Sequence, residues 1–301
     1  MTTWYQHRFH NVDVHRFVFW IVPLLPRFVQ PSVAAITALI FYCLLKQERR
    51  AVARNLRRVS HRRGIALHWK VYRVFYSFCD LMVSYCYVPQ ASHSQLLSML
   101  ADKDRGAATI DQCLAAGNGL IVWTAHLGNV EIASRLLEMH GRPVNVARVV
   151  EDKPAEKMLR DRMASQQLRI VDLSDGARAT IELLQALRRN EIVAIQGDRV
   201  YHQRHSVDLP FFSGPAAFPL GPFLLSQASG APVLPGFVIR QGWLRYRVIL
   251  GDPILPSPSG DCDASQRAGL CQAVRFLEEQ ISVHYDQWVN FFDFWPVNPR
   301  D

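Results

Sequence analysis

The strongest constraint on this chain's fold is a rhythm that sets in near residue 107. From there to residue 250, short apolar runs alternate with stretches of helical pattern. Residues 120–125, 144–150, 169–173 and 192–196 read as strands, and 108–116, 129–139, 155–166 and 177–189 as helices. Strands that are apolar along their whole length and separated by helices belong to a largely parallel sheet covered on both faces. A helix over 217–228, strands over 233–239 and 244–250, and a helix over 266–284 complete the pattern. The last strand follows "RQG" closely, so it is expected to run antiparallel to its neighbour. The stretch "PFFSGPAAFP" reads as a Gly/Pro/Phe turn that opens the helix at 217. The predicted class is α/β, a mostly parallel central sheet flanked by helices.

Before this rhythm the chain differs in kind. Residues 17–25, "FVFWIVPLL", and 28–45, "FVQPSVAAITALIFYCLL", are apolar but broken by Pro23, Pro26, Arg27 and Pro31. Neither is a clean span of roughly 20 residues. The second could just cross a bilayer; a shallow interfacial helix or hairpin is at least as consistent. A signal peptide ending near "SVA" at 32–34 is the competing reading. Residues 46–63 then carry eight Lys/Arg against one Glu, within a chain of net charge +8. A basic cluster beside an apolar anchor marks the cytoplasmic side and attracts anionic headgroups, although a solvated basic helix face has the same composition. Residues 67–88 form an aromatic-rich helix. The expected organisation is a membrane-anchoring and basic helical segment over 1–65 and an α/β domain over 66–301. The six cysteines form no CxxC pair and read as reduced thiols.

The chemistry is expected at the carboxyl ends of the parallel strands. One strand ends in "TAHLGNVE", which places His126 at such an end and Glu131 five residues on, about 1.4 helical turns away. A carboxylate beside an imidazole fixes its tautomer and stabilises the imidazolium that forms on accepting a proton. His126 and Glu131 are therefore the candidate general-base pair, against the plainer reading of a satisfied polar residue at a strand end. No GxSxG nucleophile is present, which points to a substrate hydroxyl as nucleophile. Backbone N–H groups at the helix start are candidate oxyanion donors. Asp198 and Arg199 end another strand and fall on the same rim. Arg148 and Arg162 bracket a helix and have the chemistry to pair with phosphate.

In their order, His126-x4-Glu131, Asp198, and "PFFSGPAAFPLGPFLLSQASGAPVLPGF" resemble the HtrB-like lipid A late acyltransferases of Gram-negative bacteria. These belong to the broader lysophospholipid acyltransferase superfamily. "ARNL" at 53–56 after an apolar N-terminus and the closing "HYDQWVNFFDFWP" match their arrangement. The resemblance implies a glycerol-3-phosphate acyltransferase-like fold and acyl transfer from a carrier-protein or coenzyme A thioester to a hydroxyl of a membrane-bound lipid or glycolipid. It implies His126 as base, Glu131 as its orienting carboxylate, and an arginine matching Arg162 holding the donor or acceptor phosphate; Asn129, Arg148, Asp198, Arg199, Phe212 and Gly214 complete the candidate substrate-binding set. No cofactor or metal beyond the acyl thioester is expected. The implied partners are an acyl carrier protein and membrane lipid, with no nucleic acid, at the cytoplasmic face of a bacterial inner membrane. Two departures bear on the acceptor. Gly197-Asp198-Arg199 stands where the lipid A enzymes commonly have Asp-Gln, and "NFFDFW" is closer to relatives from aryl-polyene and pigment-lipid pathways. A non-catalytic lipid-binding protein on the same fold is the alternative function.

Overall fold

The computed structural model describes residues 12–102, 106–150, 153–201, 206–257 and 262–295. Four helices come first: α1 (Val12–Ile21), α2 (Gln30–Leu44), α3 (Lys46–Ser60) and the 24-residue α4 (Gly64–Tyr87). Short helices α5 (His93–Ser98) and α6 (Ala107–Ala115) lead into the sheet. Its strands are β1 (Leu120–Thr124), β2 (Val144–Arg148), β3 (Leu168–Asp172), β4 (Ile192–Gln196), β7 (Val233–Gly242) and β8 (Arg245–Leu250). They lie in the order β3-β2-β4-β1-β7-β8, all parallel except β8, which is antiparallel to β7. Helices α7 (Val130–Leu137), α8 (Pro154–Met163), α9 (Ala177–Arg188), α10 (Gly221–Ser229) and α11 (Cys262–His284) complete the layers.

The α/β sheet and the antiparallel last strand match the sequence expectation; one segment does not. Residues 206–219 form a hairpin of β5 (Ser206–Phe211) and β6 (Gly214–Pro219), and α10 begins only at Gly221. Leu209, Phe211, Ala216 and Phe218 point inward at a period of two and are buried, which is strand patterning. Pro210 faces Pro215 in a two-stranded ribbon, where a missing N–H costs no central ladder.

The sheet separates two apolar layers. Ile121, Trp123, Val193 and Ile195 face α9, α11 and the hairpin. Leu120, Val122, Ala194 and Leu234 face the other way with Ile110, Leu114 and Leu137 of α6 and α7. The N-terminal helices pack on this body through α4, with α1 also against α8 and α3 against α11. Helix α3 turns Ala51, Val52, Leu56 and Val59 inward, while Arg54 binds Asp293 bidentately at 2.5 and 2.8 Å. Among the described residues no helix is long and apolar enough to cross a membrane. Instead α1, the turn before α2, α2 itself and the start of α4 leave large apolar side chains outside, among them Phe17, Trp20, Phe28, Ile36, Leu44 and Trp69.

Candidate active site

His126 stands just beyond β1, and the neighbouring strand β4 runs parallel to it and ends just before Gly197 and Asp198. The adjacency of two strands thus joins residues 72 apart. His126 Nδ1 lies 2.8 Å from Asp198 Oδ1, and the His126 backbone N–H donates to Asp198 Oδ2 at 3.1 Å. Asp198 has a side-chain exposure of 0%, against 21% for His126, so the carboxylate sits behind the ring and the ring faces the cavity.

Two glycines permit this arrangement. Gly128 has φ +77°, and a Cβ there would lie 2.2 Å from the Val238 carbonyl oxygen. The turn is closed by Gly128 N–H donating to Gln287 O and Asn129 N–H to Val238 O. At Gly197 a Cβ would fall 1.9 Å from Trp123 Nε1. Gly197→Ala must displace a fully buried indole or the backbone that aims Asp198. The expected cost is about 2–3 kcal/mol, read as a lowered midpoint of thermal unfolding; an unchanged midpoint would show that the close approach carries no strain.

The electrostatics suit a base. Burial would raise the Asp198 carboxyl, but the charge and hydrogen bond of His126, the Arg199 guanidinium and the His126 backbone N–H outweigh it and bring it down to about 2. Burial lowers the His126 pKa; Arg199 and Arg148 push the same way, and Asp198 opposes them. The ring is therefore neutral at pH 7. With Nδ1–H donated to the ionised Asp198, Nε2 carries the lone pair.

The predicted pairing of His126 with Glu131 is not formed. Tyr85 of α4 donates its hydroxyl to Glu131 Oε1. Burial raises the Glu131 pKa, against the Tyr85 hydrogen bond and Arg148. Asn129 does not line the main cavity but caps α7, its Oδ1 accepting from Glu131 and Ile132 N–H and its Nδ2 donating to Ser84 Oγ. These contacts, with those of Gly128 and Asn129, occupy four N–H groups of the helix start that were candidate oxyanion donors.

His126 opens onto a cavity of about 770 Å³ between the sheet, α4, α6 and α7. Glu131, Arg148 and Arg199 line it, as do Tyr85, Arg160 and Tyr201, three residues the sequence reading did not single out. Arg148 pairs with Glu156. Arg199 Nη2 donates to Asn290 Oδ1 at 2.9 Å and its guanidinium stacks over Phe292. Arg162 turns away: its Nε donates to Tyr85 O at 2.7 Å and its guanidinium lies over Phe19. Arg160, two residues earlier, faces the cavity instead, because two residues rotate a helical side chain by about 200°. Phe212 and Gly214 lie outside the cavity at the hairpin turn. Phe212 packs on Phe211 and Trp295, and Gly214 approaches Arg58.

A family model described as bacterial lipid A biosynthesis acyltransferase matches residues 12–295 of the chain. The chain belongs to this family. Curated relatives include a phosphatidylinositol mannoside acyltransferase from two Mycobacterium tuberculosis strains, 29% identical over 205 residues in each case. That match covers 67% of this chain and 62% of the relatives' length. Within the family frame, His126 and Asp198 follow the ends of adjacent central strands, and the cavity that His126 lines is predominantly apolar.

Proposed function

We propose that this protein is a membrane-associated O-acyltransferase that moves a fatty acyl group from a thioester to a hydroxyl of a lipid or glycolipid. The observation that carries this reading is an Asp-oriented imidazole lining a large, predominantly apolar cavity. His126 Nε2 takes the proton of the acceptor hydroxyl as its oxygen attacks the thioester carbonyl carbon. Asp198 stabilises the resulting imidazolium. The positive charges of Arg148 and Arg199, which already depress the His126 pKa, favour the tetrahedral oxyanion. Collapse breaks the C–S bond, and His126 returns the proton to the departing thiolate. No protein nucleophile takes part.

Arg148 and Arg160, lining the cavity on one side, suit a phosphate on the donor's pantetheine arm or on the acceptor. An acyl carrier protein, acidic by our expectation, complements the chain's net charge of +8. The acceptor class includes lipid A-like molecules and, by likeness to the mycobacterial relatives, glycosylated phospholipids. To test this, radiolabelled acyl-carrier and acyl-coenzyme A thioesters are offered with total membrane lipids, and product lipids are identified by mass. A labelled ester of a glycolipid or phospholipid is expected. No product from any thioester would favour a lipid-binding protein without catalysis.

The exposed apolar side chains of α1 and α2, beside the basic α3, fit the interfacial side of a cytoplasmic bilayer leaflet, which we propose as the site of action. Ile36→Asp combined with Leu39→Asp is expected to weaken sedimentation with anionic vesicles at least tenfold, since each buried side chain contributes about 1.5–3 kcal/mol. Equal sedimentation of wild type and variant would remove α2 from the contact.

A further inference from the structure

The cavity has two arms of different chemistry. On the β2–β3 side its rim carries Arg148, Glu156 and Arg160. On the β7–β8 side Leu97, Leu100, Ile110, Leu234, Val248 and Leu250 line it; Asp111, beside Ile110 on α6, also lines the cavity and is paired with His140. A hydrocarbon chain loses least by entering the second arm, and a phosphate by staying at the first.

Leu250 lines the apolar arm. It is the last residue of β8 and pairs with Gly236 of β7. A Cβ on Gly236 would lie 2.7 Å from Leu250 Cδ2, and one on Gly106, at the start of α6, 2.6 Å from Leu250 Cδ1. Two glycines from separate elements thus leave the space that one leucine side chain fills, and all three residues line the cavity. We infer that Leu250 is the stop that sets the length of the acyl chain this protein accepts. The inference rests on the acyltransferase reading and deepens it.

The register gives the length. His126 lies beyond β1, two strands from β8, and Gly236 stands level with Thr124, since Val122 pairs with Leu234. Two strand spacings across and two residues along give about 12 Å. At about 1.3 Å per methylene, from C–C bonds of about 1.5 Å at tetrahedral angles, the arm holds about nine carbons. Truncating Leu250 opens space next to both glycines, enough for two or more further carbons.

The experiment measures equilibrium binding of non-hydrolysable acyl-coenzyme A thioethers with saturated chains of 8 to 18 carbons, series steps being about two methylenes. Wild type, Leu250→Ala and the volume-conserving Leu250→Met are compared, with Leu250→Val as a milder truncation should the alanine variant not fold. Wild-type affinity is expected to rise about fourfold per methylene up to the arm's length and then to level or fall. Leu250→Ala should move that break at least two carbons longer, with about a tenfold gain for the longer chains, and Leu250→Met should keep the wild-type break. An unchanged break in the truncated variants, or no dependence on chain length in wild type, overturns the inference. Because binding is read without transfer, these outcomes stay separate from the acyltransferase reading, which fails if wild type transfers no chain of any length.

Discussion

Asp198→Asn is expected to cut acyl transfer about 10³-fold or more while the protein stays folded. Asparagine fills the same space, but its amide can turn its NH₂ toward Nδ1. The ring proton then moves to Nε2, where the base must be free, and no carboxylate remains to stabilise the imidazolium. Glu131→Gln is expected to stay within about tenfold of wild type, because Tyr85 can still donate to the amide oxygen. Equal losses in the two variants would contradict the assignment of Asp198 as the orienting group. The pH profile gives a second reading of the same pair. A base must be neutral to work, and burial with Arg199 and Arg148 lowers the His126 pKa. The acidic limb of kcat/KM should therefore lie below the ordinary histidine value near 6.5, with activity falling as pH falls through it. In Asp198→Asn the limb should move lower still, since Asp198 is the group that raises the His126 pKa.

Arg240→Met is expected to cost about 3 kcal/mol of stability at neutral pH, because it strands a buried carboxylate. Arg240 Nε lies 3.3 Å from Asp80 Oδ2, its Nη2 donates to Ser77 Oγ at 2.9 Å, and Asp286 stands 3.9 Å away. The side chains of Asp80 and Arg240 are 5% and 16% exposed, so solvent screens the pair little. Burial pushes the Asp80 carboxyl up to about 6, with Arg240 opposing. A carboxyl raised in the folded state binds its proton more tightly there than in the unfolded chain. Its contribution is therefore fully present below about pH 4 and is lost as pH rises to about 6. Without Arg240 the carboxyl climbs further, so the loss relative to wild type should be larger at pH 8 than at pH 5. Denaturant unfolding at the two pH values checks this, and equal losses would show that Arg240 acts through packing alone.

The parallel sheet was legible in the sequence because β1 and β4, LIVWT and IVAIQ, are buried almost throughout and read as apolar runs between helical stretches. The β5–β6 hairpin was not, because its prolines and glycines mask the alternation of Leu209, Phe211, Ala216 and Phe218. His126 was legible from its place after a buried strand. Its partner was not, because the order β4-β1 is a property of the sheet and joins residues 72 apart. Glu131, near in sequence, is turned by α7 toward Tyr85 on a helix whose packing no local spacing reveals. Helical phase explains the exchange of Arg162 for Arg160: both stand on α8, and only tertiary contact decides which side faces the cavity.

The most direct measurement follows a labelled acyl group from its thioester to a membrane-lipid hydroxyl, with wild type and His126→Gln matched for folded content. Base catalysis by His126 predicts labelled ester from wild type, a loss of about 10²-fold or more in the variant, and no acyl group covalently retained on either protein. Undiminished transfer by His126→Gln, or a chased acyl-protein intermediate in wild type, would contradict it.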